Sequence, residues 1–478
     1  KETRELLLDI QPAGIILFSR NLSSIKKTQK LIHDIDDFLD GQVYFAIDHE
    51  GGLIVRAQEG LIPFAGNAAL GATHRMSWVG KQAEMMAKQL QALCFQIDFA
   101  PVVDIIGDQY NPGITIRSFG EDLKTVCACT KTFVRHFQKT GMWATAKHFP
   151  GKGSAVKDAH FKLPVVSDSR AQMLKRHFLP FAAAIQGGVK AIMTTHVVYT
   201  SLEKDQKRPA TMSRAIVEGM LRDYLGFKGL IYSDDMDMGA IIKYFNFEES
   251  IIQTALAGHE QILVCHHQGR MRRAKKILNK AYRKGILKDS RLDQIISKII
   301  PLWQNKKQRL FPRYNRDGVL LYQSIVKESV HWQGRQVVMP NKVGKVWLLF
   351  PDLNTISDRI YIEKELLTKY WLESQCKKYW NNIAVRFYSL ERPYSENHHW
   401  SAVQQTDAVI LFCFNATENQ VEQTILKNQI NNRQHAVVVC MRNPYDANLV
   451  PGRTGCIQSY GFRLEQIIQA IKMISNKE

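Results

Sequence analysis

Ala146-Lys147-His148-Phe149-Pro150-Gly151-Lys152-Gly153, followed by Asp158-Ala159-His160, ends an apolar stretch on a Lys-His pair and a loop with one proline and two glycines. The stretch leading into it, 142–147, has the length and composition of a buried strand and stops abruptly at ionisable side chains. The pattern recurs on either side. Downstream, Leu230-Ile231-Tyr232 runs into Ser233-Asp234-Asp235-Met236; upstream, the apolar run 43–47 ends at Asp48-His49-Glu50-Gly51-Gly52.

Working outward, strands are expected at 14–18, 43–47, 95–103, 142–147, 189–194, 229–233 and 261–265. Amphipathic stretches at 26–39, 81–93, 123–140, 169–186, 214–225 and 248–256 alternate with them. Such alternation predicts a parallel sheet with helical crossovers. The number of units, with polar residues behind nearly every strand (Ser19-Arg20-Asn21, Asp48, Asp104, Lys147-His148, His196, Asp234-Asp235), predicts an α/β fold: a (β/α)8 barrel of the TIM type over residues 1–301. A doubly wound sheet would instead gather its polar ends at one switch point. Residues 302–316, rich in Lys and Arg and containing Pro312, read as a linker. Beyond it, strands at 345–350, 383–388, 408–414 and 436–441 and helices near 361–378, 418–432 and 464–475 predict a smaller αβα sandwich over 317–478, with a short parallel sheet and no Gly-rich phosphate loop.

The chain has 478 residues, 45% hydrophobic and 23% charged, which is ordinary for a globular protein with ample core. No apolar run reaches the ~18 residues of a membrane span, and no signal peptide stands at Lys1, so no stable membrane association is expected. The eight cysteines are scattered, mostly in apolar runs (Cys94, Cys265, Cys413, Cys440), and predict buried thiols and a cytoplasmic location. Neither Cys127-Ala128-Cys129 nor His266-His267 has further ligands at zinc spacing, so no metal site is expected. The net charge of +19 concentrates after Arg270, where Ile277, Leu278, Ala281 and Tyr282 recur at helical spacing among the Lys and Arg residues. That reads as a solvated helix face; without a nucleic-acid-binding motif, no nucleic-acid partner is expected.

The strand-end residues suit the cleavage of a glycosidic bond with retention, which needs a nucleophilic carboxylate on one face of the sugar and a proton donor on the other. Asp234, at the end of a rigid strand, suits the nucleophile. His160 suits the acid/base, with Asp158 two residues away as its orienting partner. An imidazole whose ordinary pKa is about 6.5 can donate and then retake a proton near neutrality. Asp48, Arg56, Arg117, Lys147 and His148 can hold sugar hydroxyls by charge-assisted hydrogen bonds. Each element also has a plain structural reading. Asp234-Asp235 can cap a helix, Asp158 and His160 can be a surface pair, Arg117 can pair with Glu121, and His196 can be a satisfied interior histidine. Their joint placement at strand ends favours the catalytic reading.

Gly14-Ile15-Ile16-Leu17-Phe18-Ser19-Arg20-Asn21, Asp48-His49-Glu50-Gly51-Gly52, Arg117-Ser118-Phe119-Gly120, Lys147-His148-Phe149-Pro150-Gly151, Asp158-Ala159-His160 and Ser233-Asp234-Asp235-Met236 together resemble family 3 of the glycoside hydrolases, in its β-N-acetylglucosaminidase branch. The resemblance covers about residues 1–300; Lys327-Glu328-Ser329-Val330 and Arg442-Asn443-Pro444-Tyr445-Asp446 carry it more weakly into the second domain. It implies an exo-acting, retaining hydrolase of terminal β-linked N-acetylglucosamine, with muropeptides from peptidoglycan as substrate and no cofactor. It implies Asp234 as nucleophile, a His160–Asp158 dyad on a loop as acid/base, and sugar contacts from Asp48, Arg56, Arg117, Lys147 and His148. A phosphorylase or a β-glucosidase of the same fold is the enzymatic alternative, and a noncatalytic glycan- or polyanion-binding protein the alternative of another class. Three positions depart from the family pattern: Leu53 replaces an Arg, Lys152 a His and Ala159 a Ser. The resemblance also implies a strand ahead of 14–18, whereas Lys1 opens in the helix that follows such a strand.

Overall fold

In the computed structural model, the first parallel sheet is built from short, almost wholly apolar segments. They are β1 (Gly14–Leu17), β2 (Tyr44–Ile47), β3 (Ile97–Asp98), β4 (Trp143–Phe149), β7 (Ala191–Thr194) and β9 (Leu230–Tyr232), hydrogen-bonded in that order. A small three-stranded sheet of β5 (Val156–Lys157), β6 (Pro164–Val166) and β8 (Val198–Tyr199) stands beside it. The structure describes residues 2–106, 111, 113–157, 163–306, 315–339, 344–353, 367–392, 394 and 402–476.

The period of two along each strand sorts the side chains. Phe45, Ile47, Ala144, Ala146, Ile192 and Ile231 face the surrounding helices and join the main core. Tyr44, Ala46, Ile97, Ala191, Met193, Leu230 and Tyr232 face inward and fill the curl of the sheet. A helix at Asp289–Gln304 completes that inner core with Ile299 and Leu302, while its Trp303 indole donates to Ala13 O at 2.8 Å. Leu302, the first residue of the expected linker, is a fully buried plug of that core.

The described residues form a curled sheet of six strands rather than the eight expected. The segment 261–265 occupies a seventh position through a single parallel bridge, Tyr232 to Gln261. Backbone bonds run from Gln261 N to Ile231 O, from Ser233 N to Gln261 O and from Met236 N to Leu263 O, and side chains supplement them: Ser233 Oγ accepts from Leu263 N at 2.9 Å and Asp235 Oδ1 from Cys265 N at 3.1 Å. The seam toward β1 is also made by side chains. Tyr44 OH donates to Gln261 Oε1 at 2.8 Å, and Arg20 Nη2 to Cys265 O at 3.4 Å. The expected strand at 95–103 is shortened because Pro101 has no N–H for the ladder; pairing resumes only as a bridge from Val102 to Lys147.

Helices at Ile25–Phe38, Met76–Ala92, Leu123–Lys139 and Phe178–Gln186 cover the outer face. Ser24 and Asp122 cap the first and third, each accepting a hydrogen bond from the first helical turn. The basic helix Gln268–Arg283 buries Ala274, Ile277 and Ala281 and leaves most of its cations outward, as its spacing predicts.

The second sheet runs β10 (His331–Trp332), β15 (Gly455–Gln458), β14 (Ala436–Cys440), β13 (Ala408–Cys413), β11 (Val346–Pro351) and β12 (Ile383–Tyr388), all parallel except β10. Leu348, Phe350, Ile410, Val437 and Val439 face the helix Leu464–Ser475 and the main core. Trp347, Leu349, Val409, Leu411 and Val438 face Ile425 and Ile430. Both faces are thus covered, as a parallel sheet requires. The helix Arg316–Ser329 packs on Asn67–Thr73 and Met76–Ala92 of the first unit, and buried Arg463 donates to Gly52 O at 3.2 Å.

Candidate active site

Strand parity decides which polar residues enter the mouth of the curled sheet. Tyr44 and Ala46 point inward, so Asp48 and Glu50 continue that face; Trp143 does, so Lys147 follows; Leu230 and Tyr232 do, so Asp234 follows. Lys147 Nζ donates to Asp48 Oδ1 at 2.6 Å and lies 2.7 Å from Glu50 Oε1. Arg117, carried by the turn Thr115–Arg117, grips Glu50 with a two-point bond: Nε to Oε2 at 2.8 Å and Nη2 to Oε1 at 2.7 Å. Its Nη1 donates to Gly113 O at 2.7 Å.

These charges settle one another. Burial favours a neutral Glu50, but the Arg117 and Lys147 cations outweigh it and hold the carboxyl well below the usual range. Burial likewise favours a neutral Lys147, and Asp48 and Glu50 override it, so its ammonium is retained. The Gly pair after Glu50 makes the approach possible. Gly51 and Gly52 have φ of +81° and +54°, and a Cβ on Gly52 would stand 2.6 Å from Gly66 Cα.

A second group surrounds His148. Asp104 Oδ2 lies 2.7 Å from His148 Nδ1 and accepts His148 N at 3.2 Å, while Oδ1 accepts Lys152 N at 2.7 Å. Burial and the Lys152 and Arg117 cations drive the His148 pKa well below the ordinary value, so the ring is neutral. A neutral ring that donates from Nδ1 to the carboxylate presents Nε2 as an acceptor.

Asp234 is half-buried, and its Oδ1 accepts Asp235 N at 2.9 Å. It lies close enough to Lys152 and His196 to favour their charged forms, although burial lowers both pKa values. Asp235 sits deeper; burial, with the charges of Asp237 and Asp234, raises it to about 6. Neither carboxylate caps the following helix, whose N-cap is Met238. Asp237 accepts His266 N at 2.7 Å and His267 N at 3.0 Å and pairs with Arg270.

The structure thus brings Asp48, Arg117, Lys147, His148 and Asp234 to one end of the first sheet. Arg56 stands nearby: its N is 3.4 Å from His49 Nδ1 and its guanidinium carbon 6.0 Å from the Phe18 ring. Asp158 and His160 lie outside the described residues. The chain enters that segment from β5 and leaves it into β6, which pair antiparallel at Val156–Val165 and Lys157–Pro164. Arg117 turns to Glu50, not to Glu121. His196 is buried with both nitrogens bonded, to Thr211 Oγ1 and Asp235 O, each at 3.0 Å. Glu50 and Asp104 carry the network without having been assigned a site role from sequence. Glu50 stands two residues beyond Asp48 on the same face, a signal that was available; Asp104's contact, 44 residues away, left none. Among the described residues no group of three His, Cys, Asp or Glu side chains could hold a metal ion, and no helix is long and apolar enough to cross a membrane.

Residues 1–302 match the family model described as the glycosyl hydrolase family 3 N terminal domain. The match places the molecule in the class of glycoside hydrolases. The chain belongs to glycoside hydrolase family 3, with relatives among the β-hexosaminidases. A β-hexosaminidase of Stenotrophomonas maltophilia (strain K279a) is 32% identical over 271 residues, 55% of this chain and 79% of that protein. β-Hexosaminidase A of Pseudoalteromonas piscicida is 32% identical over 276 residues, but the match spans only 46% of its length. Among solved structures, a family 3 β-N-acetylglucosaminidase from Paenibacillus sp. str. FPU-7 aligns with a TM-score of 0.89 at 27% identity, covering 100% of this chain and 93% of that one. The β-glucoside phosphorylase BglX shares the fold, with a TM-score of 0.79 at 18% identity over 98% of this chain and 88% of its own.

Proposed function

We propose that the protein is a retaining exo-β-N-acetylglucosaminidase that removes terminal β-linked N-acetylglucosamine from peptidoglycan-derived muropeptides in the cytoplasm, with no metal or organic cofactor. Residues 1–301 form the catalytic unit, completed as a (β/α)8 barrel, and 317–478 the sandwich.

The observation that carries this reading is the set of donors and acceptors left over around Asp234. Arg117 has five N–H groups, and three are used on Glu50 and Gly113. Lys147 has three, of which Asp48 and Glu50 take two. His148 offers Nε2, and Asp48 a second oxygen. Sugar hydroxyls are matched by such a ring of partly spent, pre-oriented groups, and binding costs little reorganisation because Glu50 and Asp104 already hold the cations and the imidazole.

In the first step Asp234 attacks the anomeric carbon while His160, oriented by Asp158, protonates the departing oxygen. In the second, His160 takes a proton from water, which displaces the Asp234 carboxylate and restores the starting configuration. The test is release of N-acetylglucosamine from an aryl N-acetyl-β-glucosaminide, with proton NMR of the first-formed anomer. The β-anomer is expected, and Asp234→Ala is expected to reduce turnover by a factor on the order of 10³ or more. An α-anomer, or substantial turnover by the variant, overturns the assignment. His160→Ala should slow poor leaving groups far more than activated ones; equal loss on both removes its acid role.

A further inference from the structure

One buried imidazole takes no part in the proposed chemistry, yet it touches both ends of the segment that carries Asp158 and His160. The chain leaves β4 at Phe149, passes Gly151 and Ser154 into β5, and returns through β6 to Asp168. Ser154 stands four residues before Asp158, and Asp168 eight after His160. His177, on the helix that follows β6, lies beneath both feet. Its Nε2 is 2.7 Å from Asp168 Oδ2 and 3.2 Å from Ser154 Oγ.

The hydrogen bond from His177 is the main reason the Asp168 carboxyl is held below its ordinary pKa. A bond from Ser154 adds to it, and partial burial works against both. An ionised Asp168 can only accept, so His177 donates from Nε2, and the three side chains close a triangle. His177 Nδ1 is buried without a hydrogen-bond partner among the described residues, so the ring spends its polar contacts on the two feet. Gly151 leaves room for the ring: its φ is +110°, and a Cβ there would stand 3.0 Å from His177 Cβ. Other bonds tie each foot singly to the chain after β8. Tyr199 OH donates to Gly151 O at 2.9 Å, and Ser201 Oγ to Asp168 O at 2.7 Å. The triangle joins the feet to each other, beside the two-residue ladder of β5 and β6.

We propose that His177 is a positioning residue for the acid/base: by clasping Ser154 and Asp168 it fixes the two feet from which Asp158 and His160 are presented. This rests on the acid/base assignment above and adds a residue to it. His177 needs no contact with the sugar. It acts through the placement of His160, and proton transfer is sensitive to displacements of about 1 Å.

The experiment compares kcat/KM of the full chain for the phenyl and the 2,4-dinitrophenyl N-acetyl-β-glucosaminides. Phenolate needs a proton to leave, and dinitrophenolate does not. His177→Ala is expected to lower the rate on the phenyl glycoside by about ten- to a hundredfold and on the dinitrophenyl glycoside by less than about threefold. His177→Gln, which keeps a side-chain N–H, should restore part of the phenyl rate, and Asp168→Asn should lose part of it. In a His160→Ala background, His177→Ala should leave the ratio of the two rates where His160→Ala put it. Because the ratio is taken within each variant, loss of folded protein does not move it. Equal loss on both glycosides, no loss on either, or a further fall of the ratio in the double variant overturns the proposal. If His160→Ala spares the phenyl glycoside, or neither glycoside is cleaved, the acid/base assignment fails on its own. Backbone hydrogen exchange then judges the clasp alone. Faster exchange between Ser154 and Asp168 in His177→Ala, with Leu123–Lys139 unchanged, keeps the clasp; equal exchange removes it.

Discussion

Two parallel sheets in one chain both place a buried glutamate beyond their strand ends, and the two glutamates are held in opposite ways. Glu50, beyond β2, is ringed by cations, Arg117 and Lys147, and kept ionised below the usual range. Glu422, beside the ends of β12 and β13, is ringed by neutral donors: Phe414 N at 2.7 Å, Asn415 N at 2.7 Å and Tyr388 OH at 2.6 Å. Burial wins there and raises it to about 7. Glu50 leaves its cations with donors to spare for a ligand. Glu422 spends its oxygens on closing the sheet end. A strand-end carboxylate alone therefore does not mark a site; what matters is whether its partners keep unspent hydrogen-bonding capacity facing a cavity.

The sharpest way to break the comparison is Lys147→Met. It strands Asp48 and Glu50 without their shared cation, so stability should fall by about 3–5 kcal/mol, the usual cost of orphaning a buried charge. Activity toward an aryl N-acetylglucosaminide should be lost with it. Chemical denaturation and initial rates check both, and a stable, active variant would remove the network from the site.

The pH dependence of stability sharpens the contrast. Glu422 has a folded pKa of about 7 against an ordinary 4.5. The fold therefore binds its proton more tightly than the unfolded chain does, and stability falls as pH rises from about 4.5 to 7. The ceiling is about 3 kcal/mol, from 1.36 kcal/mol per pKa unit. Glu422→Gln should flatten that slope in thermal unfolding between pH 5 and 8 and leave glycoside turnover intact. Glu50 has the opposite sign: its stabilisation is present above the ordinary carboxylate range and is lost as pH falls through its lowered folded pKa. A slope unaltered by Glu422→Gln, or one accompanied by lost turnover, collapses the distinction.

Asp104→Asn is a smaller change. It keeps the shape but weakens the grip on His148 Nδ1 and Lys152 N, and should cost about tenfold or more in kcat/KM, the scale of losing a partner that orients an imidazole. An unchanged KM and kcat would reduce Asp104 to packing. The smallest effect is expected from Arg463→Met, which removes the hydrogen bonds to Gly52 O that tie the sandwich to the Gly pair behind Glu50. About 1–3 kcal/mol of stability should go, with a modest rise in KM, because a buried carbonyl loses its donor.

Much of the site was legible before folding. Apolar runs that stop at Asp48, Lys147 and Asp234 announce strand ends, and counting by twos along each run puts all three on the inward face. The strands at 14–17, 44–47, 191–194 and 383–388 and the helix at 464–475 lie where the local pattern places them. The misses are instructive. Leu302 plugs the inner core although cations follow it closely in sequence; that role depends on a cavity formed by residues as distant as Tyr44. Segment 261–265 reads as a full strand, but its edge mixes backbone bonds with bonds to the Ser233 and Asp235 side chains, which no local pattern shows. β10 and β15 are too short to stand out; β15 exists through its parallel pairing with β14, and β10 through its antiparallel pairing with β15.

The sequence by itself determined where strands end, which side chains those ends carry and which family the chain resembles, because hydrophobic period and motif order are local properties of the chain. Only the tertiary structure decided that Arg117 belongs to Glu50, that His148 is oriented by Asp104, and that Ser154 and Asp168 meet at His177. These partners lie 9 to 67 residues apart. The charge state of each depends on burial and on the neighbours that folding delivers, and neither exists until the sheet has curled.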